Sequence, residues 1–257
     1  MKMELVDRVY IVTGGSKGFG LAIARALVAA GARVGLVSRN QQGLEQAVSE
    51  LGADRAYGVA ADVGQRTGIT GAIAAIAQHF GRLDGLVNNA GAARPNTVEN
   101  LVEEEVLMQV NTNFLGTVFA CQAVIPQLRE HGSDNPRIIN ISSASAFHFD
   151  EMSHLSIYAA SKAAVERFTR DLATECQAEE IGVSCIRPGG ADSSIAEAWD
   201  MDVTMAAFAA WREEGSYMAV GMTVDDVANA VVFALAQPRG VSVDLLELRP
   251  QRRSPKG

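Results

Sequence analysis

Tyr158 and Lys162, in the run Tyr158-Ala159-Ala160-Ser161-Lys162, are four residues apart. On a helix that spacing puts a phenol and an ammonium on one face, one turn apart. The ammonium favours the phenolate, so a phenol whose ordinary pKa is about 10 can exchange its proton nearer neutral pH. Hydride addition to a carbonyl develops an alkoxide that needs a proton at once, and such a pair serves that need. With four tyrosines and four lysines in 257 residues, the spacing would arise by chance roughly 0.06 times. Upstream stand Ile141-Ser142-Ser143 and a glycine-rich start, Thr13-Gly14-Gly15-Ser16-Lys17-Gly18-Phe19-Gly20. Together they read as the parts of an oxidoreductase site.

The elements that must hold these residues follow from periodicity. Short β-branched runs predict strands at 8–13, 33–37, 55–60, 83–87, 137–141, 182–186 and 241–248. Between them, apolar spacing of three and four predicts helices from the glycine run to about 30, then 41–51, 67–80, 102–128, one carrying Tyr158 and Lys162 to about 177, and 224–235. Strands alternating with helices of this length require right-handed crossovers and a mostly parallel seven-stranded sheet covered on both faces. The fold class is α/β, doubly wound, with ligands expected at the carboxyl ends of the strands. No Pro/Gly/Ser-rich linker or charge block divides the chain, so residues 1–257 read as a single domain.

Composition excludes other classes. The formal net charge of -8 argues against a nucleic-acid footprint, which needs clustered basic residues on one face. No apolar run reaches membrane-spanning length, and the first fifteen residues lack the pattern of a signal peptide. Cys121, Cys176 and Cys185 have no paired spacing, which predicts buried free thiols and a cytoplasmic location. His79, His131, His148 and His154 lack ligand spacing, so no metal is expected.

The glycine run follows a strand and opens a helix, as a dinucleotide fingerprint must: Gly14 for the tight turn, Gly18 for backbone approach to the pyrophosphate, Gly20 for close helix packing. Its spacing is T-G-x-x-x-G-x-G. In this, in Asn88-Asn89-Ala90-Gly91, in Tyr158-x-x-x-Lys162 and in Pro188-Gly189, the chain resembles the short-chain dehydrogenase/reductase family over nearly its whole length. The resemblance implies a Rossmann fold and a nicotinamide cofactor held by Thr13, Gly14, Ser16, Lys17, Gly18, Phe19 and Gly20. It also implies contacts from Asp62 and Val63 to adenine, from Asn89, Ala90 and Gly91 on the central strand, and from Pro188, Gly189 and Ser193 beside the nicotinamide. At the end of the second strand an NAD enzyme would place an acid on the ribose; here stand Ser38, Arg39 and Asn40. A forked guanidinium, a hydroxyl and the Lys17 ammonium suit a 2′-phosphate instead, so NADP(H) is the expected cofactor.

Carried over position by position, the resemblance makes Tyr158 the general acid/base and Lys162 the cation that lowers its pKa and holds the nicotinamide ribose. Ser143 becomes the hydroxyl that orients the substrate oxygen. Asn113, in Asn113-Phe114-Leu115-Gly116, helps hold a water leading to the lysine. The family separates its serine and tyrosine by about thirteen residues, whereas Ser143 precedes Tyr158 by fifteen and Ser145 sits at the usual count. Ser143 is preferred because it directly follows a strand end, and Ser145 remains its competitor. Phe147, His148, Phe149, Met152 and His154 either line a substrate entrance or pack as a surface loop. Residues 192–222, with Trp199, Met201, Met205, Phe208, Trp211 and Met218, read as a substrate lid, with core packing or a subunit contact as the other account. Residues 250–257 read as a flexible, solvated tail.

The expected activity is interconversion of a small-molecule ketone and a secondary alcohol. Two alternatives stand beside it. The ending Val243-Asp244-Leu245-Leu246-Glu247-Leu248-Arg249-Pro250 resembles the branch of serine and 3-hydroxy-acid dehydrogenases, which implies 3-oxo or 3-hydroxy acids; the second is a non-catalytic NADP sensor. The family's habit of pairing two long helices across subunits, with Phe114, Val118, Ala164 and Phe168 as outer positions here, implies a homotetramer or homodimer.

Overall fold

The computed structural model describes residues 5–130, 132–147, 153–191, 194–214 and 222–251. Among them seven strands form one parallel sheet: β1 (Val9–Thr13), β2 (Arg33–Ser38), β3 (Ala56–Ala60), β4 (Leu83–Asn88), β5 (Gly132–Ile141), β6 (Gly182–Pro188) and β7 (Leu245–Leu248). The order is β3-β2-β1-β4-β5-β6-β7. The chain starts in the middle, winds outward to β3, then returns past β1 and winds the other way. That reversal leaves a crevice beyond the carboxyl ends of β1 and β4, where doubly wound sheets bind ligands.

The helices are α1 (Gly18–Ala29), α2 (Gln41–Leu51), α3 (Arg66–Phe80), α4 (Glu103–Val110), α5 (Gly116–Glu130), α6 (Ser156–Glu175), α7 (Met201–Glu214) and α8 (Val224–Leu235). All five residues of β1 are buried, as a central strand covered on both faces requires. Tyr10 and Val12 point into a core with α1 and α8, whereas Val9 and Ile11 point into a second core with α3, α5 and α6. The alternation of one strand thus fixes both layers. No helix among the described residues is long and apolar enough to cross a membrane. Cys121, Cys176 and Cys185 are buried and free.

Three departures from the sequence reading have physical causes. The helix expected over 102–128 is broken by a π-helical turn, Asn111–Leu115, in which the Gly116 N–H reaches back to the Asn111 carbonyl. The Asn113 carbonyl is taken by the Thr117 hydroxyl at 2.9 Å. β5 starts earlier than expected because Gly132 pairs with Leu83 across a register shift at Asp84, whose carboxylate accepts the Val9 N–H at 2.8 Å. β7 starts later because the Val241 N–H closes a turn on the Pro238 carbonyl at 3.1 Å, and the Arg137 guanidinium donates to the Val241 carbonyl at 2.7 Å. Phe114 and Phe168 pack edge to face, with centroids 6.3 Å apart.

Candidate active site

Gly14 has φ +67° and Gly18 φ +53°, conformations that side chains disfavour. A Cβ on Gly20 would collide with the Gly14 carbonyl and lie 2.7 Å from the Asn89 amide, so the first turn of α1 presses on the glycine loop. The Thr13 hydroxyl accepts the N–H groups of both Asn89 and Ala90 at 3.0 Å, and the Asn89 amide donates to the Thr13 carbonyl at 2.9 Å. Thr13 is buried and stitches the loop after β1 to the loop after β4. No side chain caps α1 and no acid stands in its first turn, so its N-terminus presents unpaired N–H groups, a fit for a pyrophosphate.

A cleft of about 340 Å³ runs from this loop to α6. Of the residues expected to hold the cofactor, Gly14, Ser16, Lys17, Gly18, Phe19, Ser38, Arg39, Asp62, Val63, Asn89, Ala90, Gly91, Tyr158 and Lys162 line it. Thr13, Gly20, Asn40, Pro188 and Gly189 do not. The Asn40 side-chain oxygen Oδ1 caps α2, accepting the Gly43 N–H at 3.1 Å. Gly189 donates its N–H to Leu248 at 2.7 Å, joining the turn after β6 to β7. Ser193 lies outside the described residues, as do His131, His148, Phe149, Met152, Met218 and the tail beyond 251.

Ser16 and Ser38 share a hydrogen bond of 2.8 Å. The Lys17 ammonium faces the Glu197 carboxylate at 2.6 Å, and both side chains are exposed. Arg39 is exposed, with no ion pair among the described residues. A wider groove of about 670 Å³ between α6 and the β6–β7 edge contains none of the expected site residues. No cluster of three His, Cys, Asp or Glu able to hold a metal occurs among the described residues.

At the inner end of the cleft α6 presents Tyr158 and Lys162. The lysine is 4 % exposed and donates to the Ile141 carbonyl at 2.8 Å, with its ammonium 5.9 Å from the centre of the Tyr158 ring. Burial lowers its pKa from 10.5 to about 8. The sequence reading expects the phenol to be pulled down by the ammonium. In the cofactor-free chain burial instead pushes it above its ordinary value, opposed by a hydrogen bond from Ser143. The reason is position: the ammonium is anchored on a strand-end carbonyl, not on the phenolic oxygen.

Ser143 has its own supports. Its Oγ accepts from the Ser145 N–H at 3.3 Å and from the Ser145 hydroxyl at 3.0 Å. A hydroxyl has two acceptor lone pairs and one proton. With both acceptor positions met by Ser145, donation is what Ser143 has left to offer, and it is aimed at Tyr158.

Asn113, fully buried, accepts the Ala92 N–H at 2.8 Å and donates to the Ala92 carbonyl and the Ser161 hydroxyl, each at 2.9 Å. Its amide clamps the loop after β4 to α6, and these side-chain bonds all go to protein atoms. Trp199 and Trp211, with Ala93, Leu155 and Ala207, form a small core against which Tyr158 and Ile195 pack. The Trp211 indole donates to the Ser153 carbonyl at 2.7 Å, tying α7 to the approach to α6. Met201 and Met205 of the same stretch are exposed. Arg94, Met108, Thr112 and Ile195 line the cleft without having been expected there. For Arg94 a signal existed, since it stands three residues beyond Gly91.

A sheet reversing at β1 and β4, a glycine turn at that point and a half-buried tyrosine one turn from a buried lysine define a dinucleotide-dependent oxidoreductase class. The sequence profile of the short chain dehydrogenase family matches residues 8–204, and this chain belongs to the short-chain dehydrogenase/reductase family. An uncharacterised oxidoreductase of Staphylococcus aureus is 32% identical over 246 residues, covering 96% of this chain and 98% of that protein. One from Staphylococcus epidermidis is 32% identical over 247 residues, covering 96% and 99%. Among solved structures, a 3-ketoacyl-(acyl-carrier-protein) reductase from Brucella melitensis complexed with NADH superimposes with a TM-score of 0.83 at 28% identity, covering 96% and 98%. The closed form of a serine dehydrogenase complexed with NADP+ does so at 0.82 and 28% identity, covering 97% of each chain.

Proposed function

We propose that this protein interconverts a ketone and a secondary alcohol with NADP(H), and that Ser143, Tyr158, Lys162 and Asn113 form its catalytic set. The observation that carries the reading is the Tyr158/Lys162 pair at the inner end of a cleft that begins on the glycine loop, with Ser143, just outside the cleft lining, hydrogen-bonded to the phenol. When bound, NADP(H) supplies or accepts the hydride. Tyr158 holds the proton that the developing alkoxide takes. Ser143 donates to the same oxygen and strengthens that bond as negative charge grows. Lys162 stands ready for the cofactor ribose, and Asn113 keeps the floor of the cleft fixed to α6. Trp199 and Trp211 pack against one side of the tyrosine.

For the cofactor, Arg39 and Lys17 flank the Ser16–Ser38 pair at the mouth of the cleft, and no acid stands at the end of β2. The Lys17–Glu197 ion pair is exposed and therefore weak, so a phosphate with two negative charges competes for the ammonium. Arg39→Ala should weaken NADPH binding by on the order of 1.5 to 3 kcal/mol, the worth of a charge-assisted contact, and leave NADH nearly unchanged. Titration of cofactor fluorescence reads this directly. Equal wild-type affinity for the two cofactors would sink the assignment.

The serine assignment has its own test. Ser143→Ala should lower kcat about 10²-fold, the usual cost of an oxyanion donor. Ser145→Ala should be mild, since Ser143 keeps its bond from the Ser145 backbone. Steady-state rates on one substrate decide between them, and the reverse order would move the role to Ser145.

A second reading, reduction of 3-oxo acids, is favoured by Arg94 in the cleft and by the likeness to the serine dehydrogenase. Arg94 lies 3.5 Å from Glu105, which leaves part of its guanidinium for a substrate carboxylate. A panel of neutral ketones, 3-oxo acids and alcohols, followed by NADPH absorbance, separates the two readings. Turnover of none, in either direction, would leave a binding protein. Assembly as a dimer or tetramer, through α5 and α6, belongs to the same proposal.

A further inference from the structure

The turn that carries Ser143 is gripped at both ends by one buried ion pair outside the cleft. Arg187, at the end of β6, is 5% exposed in its side chain. Its Nε donates to Glu166 Oε1 at 2.7 Å and its Nη2 to Oε2 at 2.6 Å, a forked pair. Its Nη1 donates to Glu247 of β7 at 2.7 Å, and Glu247 in turn meets Arg249 at 2.8 Å. The charges of this chain of four cancel, so the cluster supplies geometry rather than field. Glu166 lies one turn beyond Lys162 on α6, and its Oε1 also accepts the Ser142 hydroxyl at 2.7 Å. The Ser142 backbone N–H bonds the Ile186 carbonyl at 2.7 Å. At the other end of the turn, the Phe147 ring lies over the Arg187 guanidinium at 4.7 Å. Ser143 thus sits between two residues seated on the same pair. Neither Glu166 nor Arg187 lines the cleft.

We propose that Glu166, held by Arg187, is a positioning residue: it fixes Ser142, and through Ser142 it sets the direction of the Ser143 hydroxyl toward Tyr158. This rests on the reading of Ser143 as the donor to the substrate oxygen. A hydroxyl on an extended strand end can swing, and an ångström of misplacement at a reacting oxygen costs far more than the ion pair itself is worth.

The test compares Glu166→Ala, Glu166→Gln, Ser142→Ala, Ser143→Ala and the Glu166→Ala/Ser143→Ala double variant in alcohol oxidation with NADP+. Glu166→Ala should lower kcat about 10-fold and leave the NADP+ dissociation constant unchanged. In Ser142→Ala, which keeps the charges of the cluster balanced, the rising limb of the pH–rate profile should move up, because the phenol loses the Ser143 bond that holds its pKa down. The titratable groups facing the same cleft, Lys17, Arg39, Asp62, Arg94 and Lys162, are unaltered. Glu166→Gln keeps an oxygen for Ser142 and should recover most of the rate. Ser142→Ala leaves the ion pair whole and should reproduce the defect even if Glu166→Ala folds poorly. In the double variant the loss should match that of Ser143→Ala alone, since the glutamate acts only through that hydroxyl. A double variant slower by the product of both losses, with an unmoved pH limb in Ser142→Ala, overturns the positioning role. If Ser143→Ala is itself silent, the reading of the site falls first.

Discussion

Tyr158→Phe should lower turnover about 10³-fold while NADPH binds almost as before. The substitution removes one proton and one oxygen. It keeps the ring that packs with Ile195 and the small core of Trp199 and Trp211. Cofactor titration and steady-state rates with the best substrate of the panel are the two measurements, and retention of most of kcat would end the proton-donor assignment. A phenol is protonated at neutral pH, and burial raises its pKa further. Reduction therefore finds its proton in place, whereas oxidation needs a phenolate that the chain's own charges do not yet favour.

Lys162→Met should abolish activity and at the same time stabilise the cofactor-free protein near neutral pH. A depression from 10.5 to about 8 corresponds to about 3 kcal/mol against the charged lysine at pH 7. Methionine removes that penalty but leaves the Ile141 carbonyl without its donor, which costs about 1 to 3 kcal/mol. The balance favours the variant by about 1 kcal/mol, or about 2–4 °C in melting temperature. The sign depends on pH. Below about 8 both folded and unfolded lysines are charged and the penalty is whole. Between about 8 and 10.5 the folded lysine is neutral while the unfolded one still binds a proton, so the penalty drains away. Above that window only the lost hydrogen bond remains, and the wild type should be the more stable. Melting curves at pH 7 and pH 10.5 that keep the same order would refute the assignment of a buried, depressed lysine.

The parts legible in the sequence were those written in neighbouring residues. The glycine run and the Tyr158/Lys162 pair each span one turn, and the sheet follows from alternation that each strand carries by itself. What was hidden depends on partners far apart in the chain. Glu166, Arg187 and Glu247 come from α6, β6 and β7, and Glu197 meets Lys17 across 180 positions; no spacing rule joins them. Asn40-x-x-Gly43 is also a helix start, and the Asn40 side chain caps α2. Residues 192–222 are expected as a lid from the length between a strand end and the next helix; α7 forms within them and buries Trp211.

The π turn at Asn111–Leu115 sets a residue count that the rest of α5 must respect. It winds one extra residue into the helix, so the stripe of α4 and the stripe of α5 are out of phase by about 100°. Deleting a single residue there would restore unbroken α-helical bonding. It would also swing either Asn113 off Ala92 and Ser161, or Cys121 and Val124 out of the core, because no single phase satisfies both. The helix is therefore locally imperfect for the sake of two obligations on opposite sides of one turn. A shortened version of this chain would gain regularity at that point only by losing the clamp or the core.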